Sequence, residues 1–468
     1  MCLLFSMWFV SGIVMIYVDY PELTEAERLG NLPELALEEV KLTPFEAASK
    51  INSMTLFSSV KLTTVLNRPA FELVDVAARK FIVFADSGTT LNNVSEIDAL
   101  NATVLWDIPG SNSTPSYDSL IDIDQWSITS SHNPHRPLHK VAMNDESDRV
   151  LYVSSQTGQI ILDTSRTERL WNWLGSTVHW IYPLSLRRNA PLWTQVVVYT
   201  SLAGIVSVIT GGIIGFVRLR IRMPYRGKGC SPYADWMKWH HLLGMCSLVF
   251  VFTFMFSGLM SMGPWGVFDA ATSSVQQINR YYGNDSLRLS NLPMPDSGGN
   301  GRQIKEVKWH QLRGESFYSY ISSPTQSEVH FPIIPEQITS TKLQTIINGA
   351  IPDLLPDARL DSIDLITSED NYYYSHRNDS RPFPVYRAKF DDLESTWYHI
   401  DVDNGEIINR ITNTNRIERW LFNGLHSLDF QLLIKHGLLR EIILIFLSLV
   451  GFIFSLSAIV VGWRRLFS

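Results

Sequence analysis

Four long stretches of this chain contain no Asp, Glu, Lys or Arg, and they limit what it can fold into. They run from Met1 to Val18, Trp193 to Val217, Trp239 to Phe268 and Ile442 to Trp463. About 20 apolar residues cross a hydrocarbon core of ~30 Å, and a helix that hydrophobic has few other places to go. The last three clear that length; the first falls just short. It begins at Met1 with no basic segment before the apolar block and no small-residue cleavage site after it, so it reads as an uncleaved span rather than a signal peptide. Four spans separate two long polar segments.

The charges set the orientation. Arg218, Arg220, Arg222, Arg226, Lys228 and Lys238 crowd the short loop between the second and third spans against one acid, Asp235, and Arg464 and Arg465 follow the fourth. Positive charge stays on the cytoplasmic side, so both termini and this loop read as cytoplasmic and the two long segments as periplasmic. Trp193, Trp239, Trp265 and Trp463 stand at span ends, where indole rings favour the interface. The predicted organisation is span 1–18, periplasmic domain 19–192, span 193–217, basic loop 218–238, span 239–264, periplasmic domain 265–440, span 441–463 and tail 464–468. The bilayer of a bacterial inner membrane is the first partner this implies. A net charge of −7 argues against a nucleic-acid partner. Three cysteines, none in the polar segments, exclude a disulfide scaffold.

The chain also repeats itself. At a constant offset of 247, Gly158 matches Gly405, Ile160 and Ile161 match Ile407 and Ile408, Arg169 matches Arg416, and Trp173 and Leu174 match Trp420 and Leu421. His179 then matches His426, Gly204 matches Gly451, Gly215 matches Gly462 and Arg218 matches Arg465. At 246, Ser11-Gly12 matches Ser257-Gly258. Each half reads as span, outer domain, amphipathic segment, span. This is a parallel repeat, whose halves are related by an axis along the membrane normal. Equivalent residues then face each other at one depth. On this reading the counterpart of Lys238 to Gly244 falls upstream of Met1, so the first span is expected to lack its inner half.

The polar segments carry hairpin signals. Thr157-Gly158 and Asn404-Gly405 separate β-rich runs, and Phe81 to Phe84 precedes Asp86-Ser-Gly-Thr-Thr. Thr43, Pro44 and Glu46 have the order of a capped helix start. Each segment is expected to be a small α+β unit, with a helix packed on an antiparallel sheet.

Among twelve histidines, four sit where membrane chemistry needs them. His179 and His426 are repeat mates, so the axis brings them together near the periplasmic surface, where two neutral imidazoles could ligate one haem iron. His240 and His241 open the third span on the inner side. Being ~100° apart on a helix, at most one of them is expected to point into the bundle. Arg169 and Arg416 each precede a matched histidine by ten residues and could grip carboxylates. The opposing readings are an interfacial ring with a wet tip, a shared structural cap, and solvated arginines. His132, His135 and His139 read as an extended loop broken by Pro134 and Pro137, and His436 as a loop before the last span. No nucleophile elbow, zincin motif, phosphate loop or dinucleotide fingerprint is present.

A strand, a Thr-Gly or Asn-Gly turn and a Gln/Glu-Ile-Ile strand resemble the PepSY domain. Arg416 to Phe430, Trp173 to Tyr182 and Trp8 to Met15 resemble the membrane segments of PepSY-associated transmembrane proteins. The resemblance covers essentially the whole chain, although the His-x-Trp-x-Gly-like start that the family usually carries on its first span is absent. It implies a four-span helical bundle with a parallel internal repeat and two extracytoplasmic α+β PepSY-like domains. It further implies haem b bound through His179, His426 and His240 or His241. The function implied is transmembrane electron transfer that reduces a periplasmic ferric siderophore, fed by a cytoplasmic electron donor. PepSY modules also occur in protease propeptides, so the alternative is a non-enzymatic membrane protein that binds a partner or modulates a peptidase.

Overall fold

The computed structural model describes residues 1–51, 55–106, 113–227, 229–268, 273–295, 303–324, 326–331, 336–375 and 380–467. Lys228 of the basic loop lies outside them. The chain opens with α1 (Cys2–Met15) and continues through α2 (Glu25–Asn31) and α3 (Pro44–Ser49). Strands β1 (Phe57–Val65), β2 (Arg68–Asp75), β3 (Lys80–Phe84) and β4 (Thr90–Leu91) follow, then α4 (Glu96–Thr103). Next come β5 (Ser116–Ile121), β6 (Leu138–Ala142), β7 (Val150–Ser154) and β8 (Ile160–Thr164). Short helices α5 (Arg166–Leu174), α6 (Ser176–His179) and α7 (Leu184–Arg187) lead into the long α8 (Ala190–Arg218) and α9 (Asp235–Met260). The second half holds α10 (Val275–Tyr282), β9 (Glu306–Leu312), β10 (Glu315–Ser323), β11 (Gln326–His330), α11 (Glu336–Ala350), β12 (Arg359–Ile366), β13 (Val385–Asp391), β14 (Trp397–Asp401) and β15 (Ile407–Ile411). It closes with α12 (Asn413–Arg419), α13 (Gln431–Lys435) and α14 (Gly437–Leu466).

Among the described residues three helices, α8, α9 and α14, are long and apolar enough to cross a membrane, at 29, 26 and 30 residues. Helix α1 is equally apolar but has 14 residues, which is about 21 Å of helix. It packs along α14, α14 along α9, and α9 along α8. Phe5, Phe9, Val198, Ile205, Val251, Met255 and Leu259 form the buried centre of this bundle. Ile213, Phe216, Val249 and Phe446 stay exposed on its outside, an apolar surface that suits lipid and not water. Gly451 is required for the close approach of α1: a Cβ there would sit 2.4 Å from the Phe9 ring.

The connections place every sheet at one end of the bundle and the basic loop at the other. The hairpins form where their turns predict, with β7 joined to β8 through Thr157-Gly158 and β14 to β15 through Asn404-Gly405. Gly158 and Gly405 have φ of +68° and +73°, which a side-chain-bearing residue adopts only under strain. Thr43 caps α3 and Glu46 reaches back to the Thr43 backbone in a full capping box. The sheets are ordered β5-β6-β7-β8, β12-β13-β14-β15 and β11-β10-β9-β1-β2-β3-β4. The last one joins the two halves of the chain. β1 pairs antiparallel with β9, and Lys61 lies opposite Lys308, the residue 247 positions later. Like charges facing each other across strands oppose pairing, and each lysine carries its own acid: Lys61 is 3.0 Å from Glu306, and Lys308 is paired with Glu406. Phe71, Leu62, Trp309 and Tyr318 fill the core of this shared sheet beneath Ala47 and Ala48 of α3.

Residues 130–135, expected as an extended loop, instead form a 3-10 turn that contains Pro134. The tighter turn accepts proline where an α-helix would lose a hydrogen bond. Each of the three histidine rings there has separate partners. His132 Nδ1 lies 3.1 Å from Thr129 Oγ1, His135 Nδ1 is 3.1 Å from Ser154 Oγ, and His139 Nε2 is 2.9 Å from the Val94 carbonyl. Among the described residues no group of three His, Cys, Asp or Glu is placed to hold a metal ion.

Candidate functional site

His179 ends α6, where it packs against α1. His426 is reached from α12 through a π-helical turn, Trp420–Gly424, a local widening that often accompanies functional side chains. The two imidazoles lie ring to ring with centroids 6.1 Å apart and planes at 72°. Their surroundings correspond. His179 Nδ1 is 3.0 Å from Ser11 Oγ and its Cε1 lies over Gly12; His426 Nδ1 is 3.0 Å from Ser257 Oγ and its Cε1 lies over Gly258. A Cβ at either glycine would already touch the ring, at 3.4 and 3.5 Å from Cε1. Trp8 Nε1 donates to the His179 carbonyl at 2.9 Å, while Phe254 and Phe422 pack on His426 at 5.7 and 5.5 Å.

The serines determine what the rings can do. A hydroxyl has one proton to give. Ser11 Oγ donates it to the Met7 carbonyl at 2.6 Å, with the Trp8 carbonyl at 3.2 Å, and Ser257 Oγ donates to the Phe254 carbonyl at 3.1 Å. Each Oγ must then accept from the imidazole, so the ring proton sits on Nδ1 and Nε2 keeps its lone pair. Metal-ligating histidines are held in this way, one nitrogen fixed by a second group and the other free to bind.

His240 repeats the arrangement toward the opposite end of the bundle, near the start of α9. Its Nδ1 is 3.1 Å from Ser457 Oγ, which donates to the Phe454 carbonyl at 2.6 Å. Its ring stacks on Phe454 at 4.8 Å with planes within 6°. His241 differs. Its Nε2 meets the Gly215 carbonyl at 2.8 Å and its Nδ1 meets Ser231 Oγ at 2.8 Å. A carbonyl only accepts, so Nε2 carries the proton, Nδ1 accepts from the hydroxyl, and no lone pair remains for a ligand. Of the adjacent pair, His240 has ligand capacity and His241 is a fully bonded link between α9 and the end of α8.

The two predicted arginines are placed alike but away from the rings. Arg169 donates to the carbonyl and hydroxyl of Thr164 at 2.9 and 3.0 Å and to Asp148 at 2.9 Å. Arg416 donates to the Ser395 carbonyl at 2.9 Å and lies over the Trp397 ring at 4.2 Å. Both clasp the end of a hairpin to the following helix. Arg419 and Arg440 escaped the sequence reading because their positions at the 247 offset hold Asn172 and Trp193. Arg419 Nη2 reaches the Asp429 carbonyl, and Arg440 Nη1 reaches Asp429 Oδ1 at 2.6 Å. Nε and Nη1 of Arg419 and Nε of Arg440 are buried without a hydrogen-bond partner among the described residues. The Arg419 guanidinium lies over the Trp420 and Tyr374 rings, at 4.1 and 5.5 Å from their centroids, where a cation is attracted to the ring face. Arg419 Nη1 lies beside Gly424, two residues before His426. His436 occupies the N-cap position of α14 in a non-helical conformation, without a side-chain capping bond, in the loop expected for it.

Fold and site together define a membrane-embedded protein whose helices carry paired imidazoles beneath antiparallel sheets. The model of the family described as the PepSY-associated TM region matches residues 76–466, and the chain belongs to that family. No curated protein matches it significantly.

Proposed function

We propose that this is a haem-b-dependent electron-transfer protein of the bacterial inner membrane that reduces a ferric siderophore on the periplasmic side. The reading takes the bundle as four spans in a parallel repeat, α1 included, with both termini and the basic loop in the cytoplasm and the sheets in the periplasm. An unidentified cytoplasmic donor supplies the electrons.

One observation carries it: a serine hydroxyl sits at Nδ1 of each of three histidines, and two of the rings meet. The two rings stand with centroids 6.1 Å apart, and neutral imidazoles are the nitrogen ligands that haem iron takes. His179 and His426 would hold one haem iron, and His240 would contribute a ligand to a second. Bound there, haem supplies reversible one-electron chemistry. The chain's own groups do the rest. Ser11 and Ser257 sit at Nδ1 of the two rings and orient them, and Phe254 and Phe422 pack on His426.

The test is the absorption spectrum of the full-length protein, purified in detergent from haem-sufficient cells. A Soret band with split α and β bands, reduced in His179→Ala and His426→Ala, is expected. A colourless protein refutes the proposal.

A further inference from the structure

We propose that α5 is an interfacial helix whose apolar face lies in the headgroup and upper acyl region of the lipid leaflet next to the sheets, seating the first outer domain on the membrane. This requires a bilayer and is independent of the haem reading.

Helix α5 reads Arg-Thr-Glu-Arg-Leu-Trp-Asn-Trp-Leu. At ~100° per residue, Leu170, Trp171, Trp173 and Leu174 share an arc of about 160°, and Asn172 stands opposite its centre. The structure keeps that division. Asn172 is buried and donates to the Asp19 and Glu168 carbonyls at 3.0 Å. The four apolar side chains stay 59, 46, 47 and 59% exposed. A contiguous apolar face of that kind marks a protein or membrane contact. Arg166, one turn earlier on the same side, is exposed, which suits a cation directed at headgroups.

The height of the face favours lipid. Gly175, the residue after α5, packs on the last turn of α1: a Cβ there would lie 3.0 Å from Val14 and 3.5 Å from Met15. A run of ring contacts from Trp173 through Trp126, Tyr20 and Tyr182 to Trp193, with centroids 5.3–6.3 Å apart, ties α5 to the first turn of α8. From that turn Leu192, Tyr199, Val206 and Ile213, seven residues apart, form an exposed apolar stripe along α8. The α5 face is therefore level with the end of a lipid-facing surface, the depth at which tryptophans and interfacial helices sit. Any protein partner at this height must displace lipid to reach it.

The second half provides the contrast. At the 247 offset Trp171 becomes Glu418 and Trp173 becomes Trp420. Trp420 is covered by the chain itself: its Nε1 donates to Tyr372 Oη at 3.1 Å, and Phe430 packs on it at 5.9 Å. One copy of the face is broken by an acid and covered by protein; the other is continuous and bare.

The test is site-directed spin labelling of the full chain in phosphatidylethanolamine–phosphatidylglycerol vesicles. Labels at Leu170→Cys and Leu174→Cys are compared with labels at Val249→Cys, exposed on α9, and Ile97→Cys, exposed on α4, with Cys2, Cys230 and Cys246 replaced by serine. Collisions with oxygen, which concentrates among acyl chains, are measured against collisions with a water-soluble nickel chelate. Positions 170 and 174 should favour oxygen, as 249 does, and 97 should favour nickel. If the serine background does not fold, the same labels in the native background, after subtraction of the unsubstituted chain's spectrum, give the same comparison. Nickel-dominated collisions at either position place the face in water and overturn the proposal. Shielding from both agents at either position places the face against protein, with spin–spin broadening as the mark of a second copy, and overturns it equally.

Discussion

Replacing Ser257 with alanine removes a single oxygen and tests the tautomer argument. In the native protein that oxygen accepts from His426 Nδ1 at 3.0 Å while donating to the Phe254 carbonyl at 3.1 Å. Losing the bond to the ring costs about 1 kcal/mol of packing stability, an ordinary net hydrogen bond. The larger effect falls on the ligand. Without its fixed partner the ring can rotate or move its proton to Nε2, and loss of such an outer partner typically weakens metal binding about 10–100-fold. The assay is haem titration into haem-depleted protein, followed at the Soret band, for Ser257→Ala, Ser11→Ala and Ser231→Ala. The first two should each weaken binding by that factor. Ser231→Ala should leave it unchanged, because Ser231 serves His241, whose Nε2 is already bonded to Gly215. Equal affinity in Ser257→Ala and the native protein, or a matching loss in Ser231→Ala, would refute the reasoning.

Other substitutions separate structure from site. Arg169→Ala or Arg416→Ala should lower unfolding free energy by about 1.5–3 kcal/mol, the worth of hydrogen bonds to a charged group, without altering the haem spectrum; thermal unfolding and absorbance read the two effects. Gly451→Ala drives a Cβ into the Phe9 ring and should cost about 1–3 kcal/mol, measured as a fall in melting temperature. Burial pushes the Glu306 carboxyl up, but Arg28 and Lys61 outweigh it and hold it at about 2. A carboxyl depressed in the folded state stabilises above its unfolded pKa of about 4.3, and that stability is lost as pH falls toward 2. Glu306→Gln should therefore flatten the decline in stability between about pH 4 and 2, by about 3 kcal/mol at full effect.

The parts of the molecule legible in the sequence are those set by local chemistry. The Thr157-Gly158 and Asn404-Gly405 turns, the Thr43 capping box and the three long spans follow from residues within a few positions of one another. His179 and His426 were traceable because the 247-residue offset links them directly, and in the structure their rings meet. The serines beneath them were visible only as part of the matched Ser11-Gly12 and Ser257-Gly258 pairs. Their role depends on which helix carbonyl each hydroxyl faces, and that is a matter of rotamer and packing. The distinction between His240 and His241 was hidden for the same reason: it rests on Gly215, 26 residues earlier and on another helix. The β1–β9 join was also beyond reach, since a pairing between strands roughly 250 residues apart leaves no local mark. Arg419 and Arg440 have no arginine counterpart at the offset, so the repeat does not mark them.

The most direct measurement is the dithionite-reduced minus oxidised spectrum of the native protein, His179→Ala, His426→Ala and the double variant, with haem quantified per chain. If the two imidazoles share one iron, each single substitution removes the same haem, the double variant removes no more than either single one, and the His240-dependent remainder persists. Additive losses from the two single variants, or a native protein without haem, would contradict the account.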